Sequence, residues 1–237
     1  MRIAITSDIH IDKNGPETLE VLCSTVRAIC ADVLVVAGDI ATAPTTFLQT
    51  LLALRQSVPE VVVVAGNHDV WSHPMAVAAG MHAWVRLDKL LPALCLEAGV
   101  RNLDAGAVQL GDITFCGSLG WYDLSMTDPS LGAPPSAYVE GKFGGLQWMD
   151  HVYAVWPDET GERLGPAAVA AVLRERLRAQ LAAAATDRIV AVTHMLPFDA
   201  QLHHTESPGW RFCRAFIGHR GLGDVIRADA RAALVTA

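Results

Sequence analysis

Short unbroken apolar runs punctuate the chain: Ile3-Ala-Ile, Val33 to Ala37, Val61 to Ala65 and Ile189 to Val192. Runs this short fit strands that are covered on both faces, where no polar alternation is needed. Helix signals fill the intervals. Asn14-Gly15-Pro16 places a proline in a first turn, and Leu19, Leu22, Val26 and Ile29 then share one helical face. Thr42 to Gln56, with Pro44 near its start and Phe47, Leu48, Leu51 and Leu52 inside, predicts the next helix. The first three runs lie about thirty residues apart, the length of one βαβ unit. Right-handed crossovers make such strands parallel, so their carboxyl ends share one edge.

The pattern then changes. His73-Pro74 opens a helical stretch through Trp84 and Leu87 that is expected to break near Pro92. Val108-Gln-Leu, Ile113 to Cys116 and Ser118 to Trp121 predict a second sheet with hairpin connections. Residues 123–163 are rich in glycine, proline and aromatics and keep no period, which predicts a loop-rich lid or substrate wall. The alternative is that these aromatics pack onto the domain's own core. Gly165-Pro166 starts a long helix with Val169, Val172, Leu173, Leu177 and Leu181 on one face and Arg174, Arg176 and Arg178 outward, a solvated stripe. Ala232 to Ala237 predicts a last strand.

Composition sets the outer limits. A chain of 237 residues that is 51% hydrophobic can bury a large core as one α/β domain spanning residues 1–237. Its apolar stretches are too short to span a bilayer, and the first residues read as a strand, without the plan of a signal peptide. Five cysteines, an odd number without C-x-x-C spacing, predict free thiols in a reducing cytoplasm. A net charge of −7 argues against a generic nucleic-acid surface. It leaves phosphate substrates open, because bound divalent ions reverse the local field.

The chemistry sits where the apolar runs stop. Asp8 and His10 follow the first run, Asp39 the second, Asn67-His68-Asp69 the third, and His194 ends the fourth. Neighbouring strands lie about 4.8 Å apart, so Asp8, Asp39 and Asn67 can converge. Two aspartates so close repel each other unless a cation lies between them. Asp, His and Asn together favour hard or borderline divalent metals. Taken alone, Asp39 reads as a helix N-cap or turn residue and His10 as a surface histidine. The recurrence at strand ends is what makes them a set. His73, His82 and His151 fall in no motif and read as non-ligands, and His203-His204 as a solvent-exposed pair. Cys116 and Cys213 have no activating partner in the sequence. A Rossmann-like nucleotide binder fails locally, since the first strand leads to Ser7-Asp8-Ile9-His10 and not to a glycine-rich loop.

The D-x-H of Asp8 and His10, the G-D of Gly38 and Asp39, the G-N-H-D of Gly66 to Asp69 and the later strand-terminal His194 resemble the calcineurin-like metallophosphoesterases in order and spacing over essentially the whole chain. The resemblance implies a four-layer α/β/β/α sandwich of two mixed β-sheets. It implies two divalent ions, Mn²⁺ first, with Fe, Zn, Ni or Mg as other occupants. Asp8 and His10 would hold one ion, Asn67 and His194 the other, and Asp39 would bridge them. His68 would contact the phosphate and protonate the leaving oxygen, with Asp69 orienting it. The implied reaction is hydrolysis of a phosphomonoester or phosphodiester (a small molecule, nucleotide or other phosphoester) by a metal-bridging hydroxide. The family completes its site with G-H-x-H. The sole G-H pair here is Gly218-His219, followed by Arg220-Gly221, and the family pattern places G-H-x-H just beyond the Ala232–Ala237 strand. His219 as a stand-in ligand is the lesser expectation. The alternative function is a metallophosphoesterase-fold scaffold that has lost catalysis and serves as a protein-interaction module.

Overall fold

The computed structural model describes residues 1–203 and 205–237, so of the predicted His203-His204 pair His204 lies outside the described residues. β1 (Ile3–Thr6) leads through the one-turn helix α1 (Ile11–Asn14) and α2 (Pro16–Ala28) to β2 (Val33–Ala37). α3 (Pro44–Arg55) then returns the chain to β3 (Glu60–Val64). All three strands are parallel, with Ile3 opposite Val33 and Val33 opposite Glu60. After α4 (Pro74–Ala78), α5 (Ala83–Val85) and α6 (Leu91–Ala98), the two-residue β4 (Arg101–Asn102) joins the far edge. The first sheet thus has the order β1-β2-β3-β4 and is wholly parallel, where a mixed sheet was expected.

The second sheet is mixed. β5 (Val108–Leu110) and β6 (Ile113–Ser118) form an antiparallel hairpin. β9 (Arg188–Thr193) and β10 (Ala232–Thr236) lie parallel to β6, giving the order β10-β9-β6-β5. The predicted strand at 118–121 is instead the continuation and exit of β6.

Period-two alternation decides the layers. Val33, Val35 and Ala37 of β2 and Val62 and Val64 of β3 face Phe115 and Val192 of the other sheet, forming the central core. Leu34, Val36, Val61 and Val63 point the opposite way, onto Phe47, Leu51 and Leu54 of α3 and Leu91 of α6. On the far side, Cys116, Ile189 and Ala191 meet Leu177 and Leu181 of α9 (Pro166–Ala183) and Leu222, Val225 and Ile226 of α11 (Arg220–Arg227). The layers are α/β/β/α.

Pro92 does not break its helix. A π turn over residues 86–90 joins α5 to α6, and a local widening of this kind accommodates a proline that has no N–H to give. Residues 123–163 carry α7 (Pro135–Glu140), the hairpin of β7 (Lys142–Phe143) and β8 (Leu146–Gln147), and α8 (Asp150–Tyr153). Their aromatics pack inward: Tyr138 stacks on Phe212 of α10 (Pro208–Cys213), and Trp148 on Phe216. All five cysteines are free; Cys23, Cys95 and Cys116 are buried, and Cys30 is exposed. Among the described residues no helix is long and apolar enough to cross a membrane.

Two side chains stitch the sheets near the strand ends. Gln180 of α9 donates to Leu103 O and Gly117 O and accepts from Gly117 N, beyond the short span where β5 pairs with β6. Asp104 accepts from Ala65 N at the end of β3 (2.7 Å) and Leu119 N at the end of β6 (2.5 Å). Burial pushes the Asp104 carboxyl up to about 6, from about 4 in an unfolded chain. Its folded form therefore favours the neutral acid. That contribution is full below about pH 4 and is lost as pH rises through about 6. In urea denaturation Asp104→Ala is expected to cost about 1–3 kcal/mol, since two amides lose their acceptor. Asp104→Asn, which cannot ionise, should gain on the wild type between about pH 4 and 6. A parallel pH dependence in both proteins would refute this account of Asp104.

Candidate metal centre

Parallel strands end together, and the loops after them carry the polar residues. β1, β2 and β3 deliver Asp8 and His10, Asp39, and Asn67 and His68 to one edge. β9 delivers His194 from the facing sheet, where its Nδ1 lies 2.8 Å from Ala37 O at the end of β2. The backbone is unusual here. Asp8, His10 and Asp39 have φ of 50°, 42° and 56°, a region that non-glycine residues seldom occupy. Three such residues in one cluster mark a site where the surrounding structure holds the chain against its own preference.

The glycines that precede the ligands are steric necessities. A Cβ on Gly38, itself at φ 89°, would lie 2.5 Å from His194 Nδ1 and 2.8 Å from Gly66 Cα. A Cβ on Gly66 would collide with the Asp39 carboxylate. The β2 and β3 loops touch backbone to backbone, which brings the Asp39 and Asn67 side chains together.

Asp39 is the centre. Its side chain is 4% exposed, and its Oδ2 lies 3.3 Å from His10 Nε2 and 3.9 Å from His68 Nε2. Its Oδ1 lies 3.7 Å from His194 Nε2 and accepts the His68 backbone N–H at 2.8 Å. Asp8 Oδ1 is 3.7 Å from His10 Nε2, and Asn67 Oδ1 is 3.1 Å from His194 Nε2. Two ligand groups result, His10–Asp39–His68 and Asp8–Asp39–His194, each with its donor atoms within 4.8 Å of one another. They share Asp39. The expected division paired Asp8 with His10 and His194 with Asn67, and it also turns on Asp39.

The donors suit a cation. His194 Nδ1–H donates to the Ala37 carbonyl, which leaves a neutral ring's Nε2 with a lone pair aimed into the cluster. That lone pair faces the Asn67 carbonyl oxygen at 3.1 Å. Two acceptors at this separation need a positive charge beside them. Burial works against a charged His194 ring, yet Asp39, Asp8 and the Ala37 carbonyl carry its pKa above the ordinary value. Burial likewise opposes the charged form of Asp8, but His10 and His194 hold its pKa below the usual range. The nearby Asp8 carboxylate, with the charge of Asp39, raises His10 in turn. The cluster attracts positive charge from every side.

His68 is built differently from the ligand histidines. Its ring lies edge-on to His10 (4.6 Å, 82°) and over Trp71 (3.7 Å, 31°), and its Nδ1 is 3.4 Å from Lys13 Nζ. Burial lowers its pKa to about 4, with Lys13 and the neighbouring rings adding to the effect against Asp39. Asp69 takes a role the sequence reading missed. Its fully buried carboxylate accepts Ile40 N and Ala41 N (both 2.9 Å) and Gly66 N (2.8 Å), tying the β2 loop to the β3 loop. Burial and the charge of Asp39 push it up to about 7. These hydrogen bonds go to backbone amides, so any effect on the His68 ring passes through the loop and not through a direct bond.

Other predicted positions separate cleanly. His219 is buried and caps α11, its Nδ1 accepting from Leu222 N at 3.2 Å, and it belongs to neither ligand group. His73 caps α4, and His151 pairs with Val139 O. Three residues absent from the sequence reading border the site: Lys13, Trp71 and Asp150. Asp150, 1% exposed, accepts from Asn67 Nδ2 at 2.9 Å, Trp71 Nε1 at 2.6 Å and Trp148 Nε1 at 2.8 Å. Nothing in the aperiodic 123–163 stretch singled it out.

A family model described as calcineurin-like phosphoesterase matches residues 1–220. Among solved structures, a phosphopantetheinyl hydrolase from Mycobacterium tuberculosis is similar in fold. Its TM-score is 0.75 at 20% sequence identity, covering 99% of this chain and 81% of that one. No curated protein matches the chain. The close approach of the glycines makes a direct prediction. Gly66→Ala should lower divalent-ion affinity by about 10–100-fold in titration calorimetry, the range seen when ligands are displaced through their supports, with far-UV circular dichroism unchanged. Unaltered affinity would show that the Gly66–Asp39 contact does not set the site.

Proposed function

The chain belongs to the calcineurin-like phosphoesterases, and from that premise we propose that it hydrolyses a phosphomonoester or phosphodiester at the Asp39-centred cluster, with two divalent cations as cofactors. One observation carries this reading: both ligand groups share Asp39. A carboxylate with two oxygens can serve two ions at once, and the other donors divide on either side of it. Bound divalent ions supply Lewis-acid polarisation of phosphoryl oxygens and a hydroxide nucleophile near neutral pH.

The chain's own residues do the rest. Asp8 and His10 would hold one ion and Asn67 and His194 the other, with the Asp8 carboxylate lying within reach of both His10 and His194. Asn67 contributes a neutral oxygen, which adds coordination without adding to carboxylate repulsion. The site has an open side. The Asp8 side chain is 49% exposed while that of Asp39 is 4% exposed, so a phosphoester approaches over Asp8 and His68. His68 directs Nε2 toward the cluster and Nδ1 toward Lys13. In this position it can bind a phosphoryl oxygen and pass a proton to the departing oxygen, which phosphoester cleavage requires. Lys13 adds a positive charge on the same side. Five free cysteines suit a reducing, cytoplasmic setting.

With Mn²⁺ added, the full chain is expected to hydrolyse an aryl phosphate, and a matched pair of aryl monoester and diester ranks the two substrate classes. Asp39→Ala should fall to near background. His68→Ala should lose about 10²–10⁴-fold in kcat, the usual contribution of a positioned acid. Full activity in both variants would remove the proposed mechanism.

A further inference from the structure

Asn67 faces a problem that a carboxylate ligand does not. Its amide has an oxygen on one side and an NH₂ on the other, nearly equal in shape, and only the oxygen can bind a cation. The neighbouring His194 makes the choice consequential. In the neutral ring that a metal ligand must be, His194 Nε2 carries the lone pair, because Nδ1–H is committed to Ala37 O. An Asn67 rotated by half a turn would place its NH₂ against that lone pair, 3.1 Å away, and form an ordinary hydrogen bond. Such a bond would satisfy both ligands without any ion and close that half of the site.

We propose that Asp150 is a positioning residue that forbids this rotation, holding the Asn67 carbonyl oxygen toward the metal centre and the NH₂ away from His194. The inference rests on the reading of Asn67 as a metal ligand. An indole N–H can only donate, so Trp71 and Trp148 make both Asp150 oxygens acceptors, and the group that Oδ1 meets on Asn67 is the NH₂. Asp150 is itself fixed by two further donors. Its Oδ1 is shared between Asn67 Nδ2 and Trp71 Nε1, and its Oδ2 takes Trp148 Nε1. With 1% of its surface exposed, it meets indole and amide N–H groups on every side the hydrogen bonds reach. Trp71 also lies against His68, and Trp148 against Phe216. The 123–163 segment therefore reaches Asn67 through the buried Asp150 carboxylate.

The hydrogen-bond pattern supplies its own test. In Asp150→Asn the oxygen can still receive Asn67 and Trp71, but the new NH₂ then faces Trp148 Nε1, donor against donor. Turning the amide over moves the conflict onto Asn67. Trp148→Phe removes the opposing donor and keeps an aromatic ring against Phe216. Mn²⁺ affinity and stoichiometry are read by calorimetry, and the two-ion state by exchange coupling in electron paramagnetic resonance. Asp150→Asn should lose about 10–100-fold in affinity for the second ion, as changes to residues that orient ligands do. Trp148→Phe should stay close to the wild type. The double variant should regain most of the affinity that Asp150→Asn loses. If Asp150 merely anchors the 123–163 segment, Trp148→Phe lowers affinity by itself and the double variant is worse than either single change; that result overturns the proposal. Asn67→Ala separates the two readings. Loss of the second ion there, with Asp150→Asn unaffected, overturns the positioning role alone. Two ions bound normally by Asn67→Ala overturn the ligand assignment and the inference built on it.

Discussion

Asp39 places a nearly buried carboxylate within 4 Å of the Nε2 atoms of His10, His68 and His194. An ionised group this deep is costly unless positive charge stays beside it. Much of the surrounding structure answers that requirement. The three imidazoles aim their Nε2 atoms at Asp39, the His68 backbone N–H donates to it, and Asn67 adds an uncharged oxygen. Each histidine is oriented by a separate contact: His194 by Ala37 O, His68 by Trp71 and Lys13, and His10 by Asp8. The geometry that makes an ionised Asp39 costly by itself is what suits it to meet a divalent cation.

The scaffold is arranged to tolerate that cost. Two sheets face each other with their parallel strands ending at one rim, so ligands come from both layers. The β2 and β3 loops approach until Gly38 and Gly66 touch, a distance no side chain allows. Asp69 then locks the approach with three backbone N–H donors, and Asp104 ties the end of β3 to the end of β6. Left-handed backbone at Asp8, His10 and Asp39 is the visible strain of this arrangement. Buried carboxylates thus have two tasks: Asp39 faces the ligand cluster, and Asp69 and Asp104 hold the loops around it.

The aromatic stretch between the strands of the second sheet joins these tasks. Tyr138, Phe143, Trp148 and Trp156 pack into the core beside Trp121, Phe212 and Phe216. That packing brings Asp150 to Asn67 across 83 residues of sequence. A segment whose composition suggests a mobile cover is in fact anchored by ring stacking, by the Asp128–Arg211 pair and by the buried Asp150 carboxylate.

The sequence alone determined the strand ends. A buried parallel strand needs a short unbroken apolar run, and the first polar residue after it falls on the sheet's carboxyl edge; both are local properties. Asp8, His10, Asp39, Asn67, His68 and His194 could be named together for that reason, and the structure does bring them to one place. The glycines of G-D and G-N-H-D were visible as letters, but their purpose was not. It lies in the contact between Gly38 and Gly66, two loops that only the parallel sheet sets side by side. Asp69 was read from its neighbour His68, whereas its partners Ile40 and Ala41 are nearly thirty residues away. Asp150 was invisible, because aperiodic chain gives no sign of where a carboxylate will point. Local pattern fixes which residues end a strand. Only close packing between distant segments decides which side chains hold those residues in place.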